Sequence, residues 1–100
     1  KNNNVKFQEG MVVSNEPGYY EKNSFGIRIE NLIYVKKVKG KKVFENFTMA
    51  PIDKDLINKE MLDYKERKWL NDYHRKVFYK LKRTMNRNEM LELKNACSAI

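Results

Sequence analysis

Two stretches decide how this chain is read: Gln8-Glu9-Gly10-Met11-Val12-Val13-Ser14-Asn15-Glu16-Pro17-Gly18-Tyr19-Tyr20, and Phe25-Gly26-Ile27-Arg28-Ile29-Glu30-Asn31. Met11, Val12 and Val13 make a short apolar run after Gly10, as a buried strand does. That strand should end at Glu16, because Pro17 imposes an extended backbone on the residue before it, and Pro17-Gly18 then reads as a turn. A second strand is expected from Phe25 to Val38. Ile27, Ile29, Ile33 and Val35 alternate there with Arg28, Glu30, Leu32 and Tyr34, so the two sets belong on opposite faces. Lys39-Gly40-Lys41-Lys42 reads as a turn into a third strand, Val43 to Ala50. Three strands alone leave a sheet face uncovered, which suggests a piece of a longer protein.

Working outward, the period changes after Pro51 to Asp53, and residues 54–100 contain neither Gly nor Pro. Asp63 with Glu66 three residues later is a capping-box signature for a helix starting near Tyr64. Trp69, Leu70, Tyr73, Val77, Leu81 and Met85 follow at spacings of three and four as one apolar stripe. Asn86 to Asn88 interrupts it, and Asn88 is expected to cap a last helix carrying Met90, Leu91 and Leu93. The fold class is α+β, an antiparallel sheet within residues 1–53 followed by helices within 54–100.

The composition sets outer limits. One hundred residues, 41% hydrophobic and 34% charged with only 4 Gly and 2 Pro, describe a folded segment with a polar surface and room for one modest core. No apolar run approaches the roughly 20 residues a membrane helix needs, and no signal-peptide pattern is present, which argues against a membrane partner. Cys97 is the single cysteine, expected to be an inert thiol and compatible with a reducing, cytoplasmic setting. The opening Lys1-Asn2-Asn3-Asn4 reads as the tail of a polar loop.

Among the carboxylates, Glu16 and Glu30 are the hardest to explain as solubilising charge. Glu16 ends an apolar strand before a rigid turn, and Glu30 shares a face with Arg28, Leu32 and Tyr34. Charges on a semi-apolar face need a counter-charge, a metal or water. An exposed ion pair and a pair of ligands for a hard divalent cation both satisfy that need, and pattern alone leaves both open.

With those residues in view, the stretch from Gln8 to Tyr20 and that from Phe25 to Asn31 resemble the end of the catalytic domain of aminopeptidase P, the Xaa-Pro aminopeptidases. Trp69-Leu70-Asn71-Asp72-Tyr73-His74 resembles the helical C-terminal extension of the longer, eukaryote-type members. The resemblance runs from about residue 8 to the end. It implies that residues 1–53 are the C-terminal part of a pita-bread metallopeptidase domain and that residues 54–100 are the helical extension. It also implies two divalent ions, Mn2+ being the expected metal, held by two Asp, one His and two Glu. Glu16 matches the first Glu, a metal ligand also assigned as catalytic base, and Glu30 the second, bridging Glu. Arg28 and Tyr20 match positions whose hydrogen bonds orient a ligand Asp. The substrates implied are peptides with proline at the second position, and a homodimer is the expected assembly. The Asp and His ligands would lie upstream, so the segment alone is not expected to be active. His74 is expected at a helix surface or an interface rather than on a metal.

The competing reading is a basic interaction or nucleic-acid-binding module without catalysis, suggested by 21 Lys and Arg against 13 Asp and Glu, formally +8. The excess is spread over both halves, Lys outnumbers Arg, and no recognised binding motif accompanies it, so solvated surface is the expectation and nucleic acid is not expected as a partner. The aromatic stripe with Trp69 and Tyr73 is a candidate for docking in cis or on a second subunit.

Overall fold

The computed structural model describes residues 3–100, so the first two residues of the Asn-rich start lie outside the described residues. The chain divides into two compact units, Lys1–Thr48 and Met49–Ile100.

The first unit is built from five antiparallel strands: β1 (Val12–Asn15), β2 (Gly18–Tyr20), β3 (Gly26–Arg28), β4 (Asn31–Val38) and β5 (Lys41–Asn46). β1, β4 and β5 form one sheet in that order, and β2 pairs with β3 as a two-stranded ribbon. The single strand expected from Phe25 to Val38 is therefore two strands in two sheets, parted at Ile29 and Glu30. The cause stands on the facing chain. Ile29 N–H donates to Pro17 C=O at 3.2 Å, and the return bond cannot form because proline has no N–H. Gly18, expected in a turn, is instead the first residue of β2. The chain reverses at residues 21–25, where Glu21 N–H reaches Phe25 C=O at 2.8 Å and Asn23 takes φ 58°.

Of the turn expected over Lys39-Gly40-Lys41-Lys42, only Lys39 and Gly40 turn, with φ 47° and 79°, the left-handed pair a two-residue hairpin favours, and β5 begins at Lys41 rather than Val43. β5 stops at Asn46 rather than running to Ala50. Phe47 and Thr48 both turn their N–H groups to Leu32 C=O, at 2.8 and 3.3 Å, and Thr48 Oγ1 accepts from Leu32 N–H at 2.8 Å. Val35 is the buried residue of β4, at 2% exposure.

The second unit is helical. Short 3₁₀ turns at Lys54–Leu56 and Lys59–Met61 are capped by Asp53 and Asn58 and lead into α1 (Tyr64–Leu81). The expected capping box is formed: Glu66 N–H donates to Asp63 Oδ1 at 2.8 Å, and Asp63 N–H to Glu66 Oε2 at 2.9 Å. α2 (Arg87–Ala96) is capped by Asn86, not by Asn88, which lies inside the helix. Asn86 Oδ1 accepts from the N–H groups of Asn88 and Glu89, and the Glu89 carboxylate returns to Asn86 N–H at 2.9 Å.

Tyr73 and Val77 of α1 and Leu93 of α2 form the core, with Met49, Ile52, Phe78, Leu81, Met85 and Cys97 against it. Each fully buried side chain of this size contributes about 1.5–3 kcal/mol. Trp69 belongs to the predicted stripe but lies at its edge, 55% exposed and stacked on Tyr73 at 5.4 Å. His74 takes the inner position instead. Two polar ties close the unit: Lys54 Nζ donates to the carbonyls of Asn95 and Ser98 at 2.8 and 2.9 Å, satisfying the C-terminal end of α2, and Asn71 pairs its amide with both backbone groups of Ile100 at 3.0 and 3.3 Å.

Candidate metal centre

Glu16 follows the last residue of β1, and Glu30 precedes the first residue of β4. The β1–β4 ladder ends on the pair Asn15↔Asn31, and the β2–β3 ladder begins on Gly18↔Arg28. Both ladders keep one register, so Pro17 falls opposite Ile29 and Glu16 opposite Glu30. The bond from Ile29 to Pro17 is the one this register requires. Hydrogen-bonded and non-hydrogen-bonded pairs alternate along an antiparallel ladder, and Glu16 with Glu30 takes the non-hydrogen-bonded position, where facing side chains lie closest. Two carboxylates set directly opposite repel, and a shared cation relieves that repulsion.

Arg28 lies two residues from Glu30 and on the same face. Its Nη1 stands 3.7 Å from Glu16 Oε1, an ion pair rather than a hydrogen bond, with both side chains about half exposed at 49% and 44%. Tyr20 shares this face as well. Its ring lies on Gly26 and its hydroxyl hangs over Gly18, where the Arg28 stem also passes: a Cβ on Gly26 would meet Tyr20 Cδ1 at 2.6 Å, and one on Gly18 would meet Arg28 Cγ at 2.7 Å and the Tyr20 hydroxyl at 3.0 Å. Glu16, Tyr20, Arg28 and Glu30 thus occupy one face of the paired strands. Pro17, Tyr19, Ile27 and Ile29 have the opposite parity and give the other face an apolar lining. Neither glycine stands out in the sequence beyond the Pro17-Gly18 turn; the available signal is two glycines on one face of a strand pair that carries long side chains opposite both.

The donor chemistry fits a hard divalent cation, which takes carboxylate oxygens by preference. Two carboxylates are a partial set: among the described residues no group of three or more His, Cys, Asp or Glu is arranged to hold a metal ion.

His74 belongs to the helical unit and corrects the surface position expected for it. It is fully buried, and its Nε2 accepts from Ile52 N–H at 3.0 Å, which requires a neutral ring with the proton on Nδ1. Burial first, and the Lys54 ammonium next, hold its pKa below the ordinary imidazole value. Its Nδ1 is buried without a hydrogen-bond partner. The ring is thus an acceptor within the core, pinning residue 52 to α1.

Comparison with known proteins fits this arrangement. The description "Metallopeptidase family M24" matches residues 1–37, and "C-terminal region of peptidase_M24" matches residues 43–100. The chain belongs to metallopeptidase family M24. Its strands and helices are those of the C-terminal part of the pita-bread fold. A crystal structure of an X-prolyl aminopeptidase from Caenorhabditis elegans, described as a cytosolic enzyme with a di-nuclear active site, superposes with a TM-score of 0.76 at 32% identity, over 94% of this M24 chain and 17% of its own. A probable Xaa-Pro aminopeptidase P from Coprinopsis cinerea is 48% identical over 87 residues, 79% of this chain and 14% of its own length. One from Laccaria bicolor is 45% identical over 87 residues with the same coverage, 79% and 14%. The M24 segment thus spans about one seventh of the length of these curated relatives. The two family descriptions meet at the β4–β5 hairpin, whereas the compact units part after Thr48.

Proposed function

We propose that this chain is the C-terminal part of a dimetal Xaa-Pro aminopeptidase, a hydrolase that removes the N-terminal residue from peptides with proline second. Residues 1–53 complete the catalytic domain and residues 54–100 are its helical extension. The observation that carries the reading is the facing pair Glu16 and Glu30, with Arg28 held 3.7 Å from Glu16 on the same face. The relatives' names and the di-nuclear site described for the Caenorhabditis elegans enzyme support it.

On this reading Glu16 and Glu30 are ligands to two divalent ions, Mn2+ being the expected metal. When bound, such ions activate water near neutral pH and polarise a carbonyl. Glu16 has a second task as general base: its carboxylate takes a proton from the attacking water and passes it to the departing proline nitrogen. That nitrogen carries no hydrogen in a tertiary amide and leaves only once protonated. Arg28 fixes the Glu16 carboxylate electrostatically, and the Tyr20 hydroxyl and the Arg28 stem both lie over Gly18, so both act on the ligands rather than on the substrate. The chain alone is inactive on this reading, because two carboxylates do not complete a dimetal site.

A cytoplasmic homodimer that binds no nucleic acid is the accompanying assignment. The cytosolic description of the structural relative supports the compartment. Among the described residues no helix is long and apolar enough to cross a membrane.

The deciding experiment uses the full-length protein that carries this chain. Glu16→Gln and Glu30→Gln should each lower Xaa-Pro hydrolysis by at least about 100-fold and reduce bound metal, measured by atomic emission, while the circular dichroism spectrum stays unchanged. Full activity with full metal content in either variant overturns the ligand assignment.

A further inference from the structure

We propose that Gly18 and Gly26 are positioning residues of the metal centre, acting through Arg28 and Tyr20 on Glu16. This rests on the reading of Glu16 and Glu30 as ligands. The register pairs Gly18 with Arg28 and Tyr20 with Gly26, so each glycine faces one of the two long side chains on the Glu16 face of the ribbon. The left-handed glycines of the chain are Gly10 and Gly40, so the backbone does not require glycine at 18 or 26. Space does. A Cβ at Gly26 would stand 2.6 Å from Cδ1 and 3.0 Å from Cε1 of the Tyr20 ring, and one at Gly18 would stand 2.7 Å from Arg28 Cγ, 3.0 Å from the Tyr20 hydroxyl and 3.1 Å from Ile27 C=O. These are a rigid ring, a side-chain stem and backbone, none of which moves aside cheaply.

Glycine weakens a strand, and in β2 and β3 it occupies one position of each three-residue strand. That concession allows Tyr20 to lie flat over Gly26 with its hydroxyl above Gly18, and Arg28 to pass low over Gly18 before turning to Glu16. A methyl group at either site lifts the ring or the stem and draws the guanidinium from the carboxylate it holds. The two glycines thus set the height at which the ligand-holding side chains cross the ribbon.

The test is a double-mutant cycle in the full-length enzyme, with Mn2+ affinity measured by calorimetry for wild type, Gly26→Ala, Tyr20→Ala and Gly26→Ala/Tyr20→Ala. Gly26→Ala should weaken binding about 10- to 100-fold, the range for groups that orient metal ligands. With Tyr20 cut to alanine the added methyl meets only Tyr19 C=O, at an ordinary contact distance of 3.7 Å, so the double variant should bind as Tyr20→Ala does. Wild-type affinity in Gly26→Ala overturns the proposal, as does an equal loss from Gly26→Ala with or without the Tyr20 ring. If Gly26→Ala alone fails to fold, the double variant decides: folded with the affinity of Tyr20→Ala supports positioning through the ring, and unfolded refutes it. Metal loss in Glu16→Gln alongside a neutral Gly26→Ala sinks only this inference, whereas undiminished metal in both Glu variants sinks the reading beneath it.

Discussion

Arg28 holds Glu16 from the strand that faces it, Nη1 to Oε1 at 3.7 Å, with both groups half open to solvent. An ion pair this exposed contributes at most about 1 kcal/mol to stability, so on the proposed reading its value lies in orientation. Arg28→Ala should leave the thermal midpoint of the full-length protein within about 2 °C of wild type while weakening Mn2+ binding about 10- to 100-fold. A variant that melts early yet binds metal normally would make the pair structural.

The α1 cap is a local contribution that can be removed cleanly. Asp63→Ala deletes the acceptor for Glu66 N–H and leaves only the half in which the residue-63 backbone N–H donates to Glu66, which should cost about 1 kcal/mol in urea unfolding. Asp63→Asn keeps an oxygen at the same place and should recover most of the loss. An alanine variant with an unchanged midpoint would mean that packing alone sets where α1 begins.

His74 makes the helical unit sensitive to acid. Its pKa in the fold lies below the ordinary 6.5, held down by burial and then by Lys54, so the unfolded chain takes up the proton more readily. Stability from the neutral ring is therefore complete above about pH 6.5 and falls as pH drops below that value toward the folded pKa. His74→Leu should flatten this part of a melting-temperature profile, while costing about 1–3 kcal/mol at neutral pH by stranding the Ile52 N–H. A profile with the wild-type slope in the variant would assign the acid sensitivity to other groups.

Burial pushes the Cys97 thiol above its usual pKa, against a smaller opposing pull from Lys54. The thiolate is the reactive form, so at pH 8 iodoacetamide should modify the folded protein's Cys97 at least about tenfold more slowly than the urea-unfolded chain. Equal rates would show that the thiol is open in the fold.

Much of this was readable in the chain itself, and the failures have causes. Pro17 announced the end of β1, Lys39-Gly40 announced its hairpin, and Asp63 with Glu66 announced α1, because each signal acts within a few residues. The break at Ile29 and Glu30 is imposed across the ladder by Pro17, and its one local sign is Asn31, a polar residue in the otherwise apolar phase of Ile27, Ile29, Ile33 and Val35. Asn86 could have been preferred to Asn88 as a cap: Glu89 stands three residues after Asn86, the capping-box spacing, and nothing comparable follows Asn88. His74 stands four residues after Leu70 and three before Val77, a spacing that puts it within the apolar stripe, and its bond to Ile52 satisfies the polar ring there. Period two alone put Arg28 and Glu30 on one face; that Glu16 and Tyr20 join them follows from a register that pairing, not local sequence, sets.

The double tie between the Asn71 amide and Ile100 gives that residue a partner in the middle of α1, and Lys54 fastens the end of α2 to the start of the unit. A segment held this way does not fray one residue at a time. Its backbone amides share the opening event of the helices they are tied to, so hydrogen exchange at Ile100 should report the same free energy as exchange in mid-α1, and the whole of residues 49–100 should behave as one cooperative foldon.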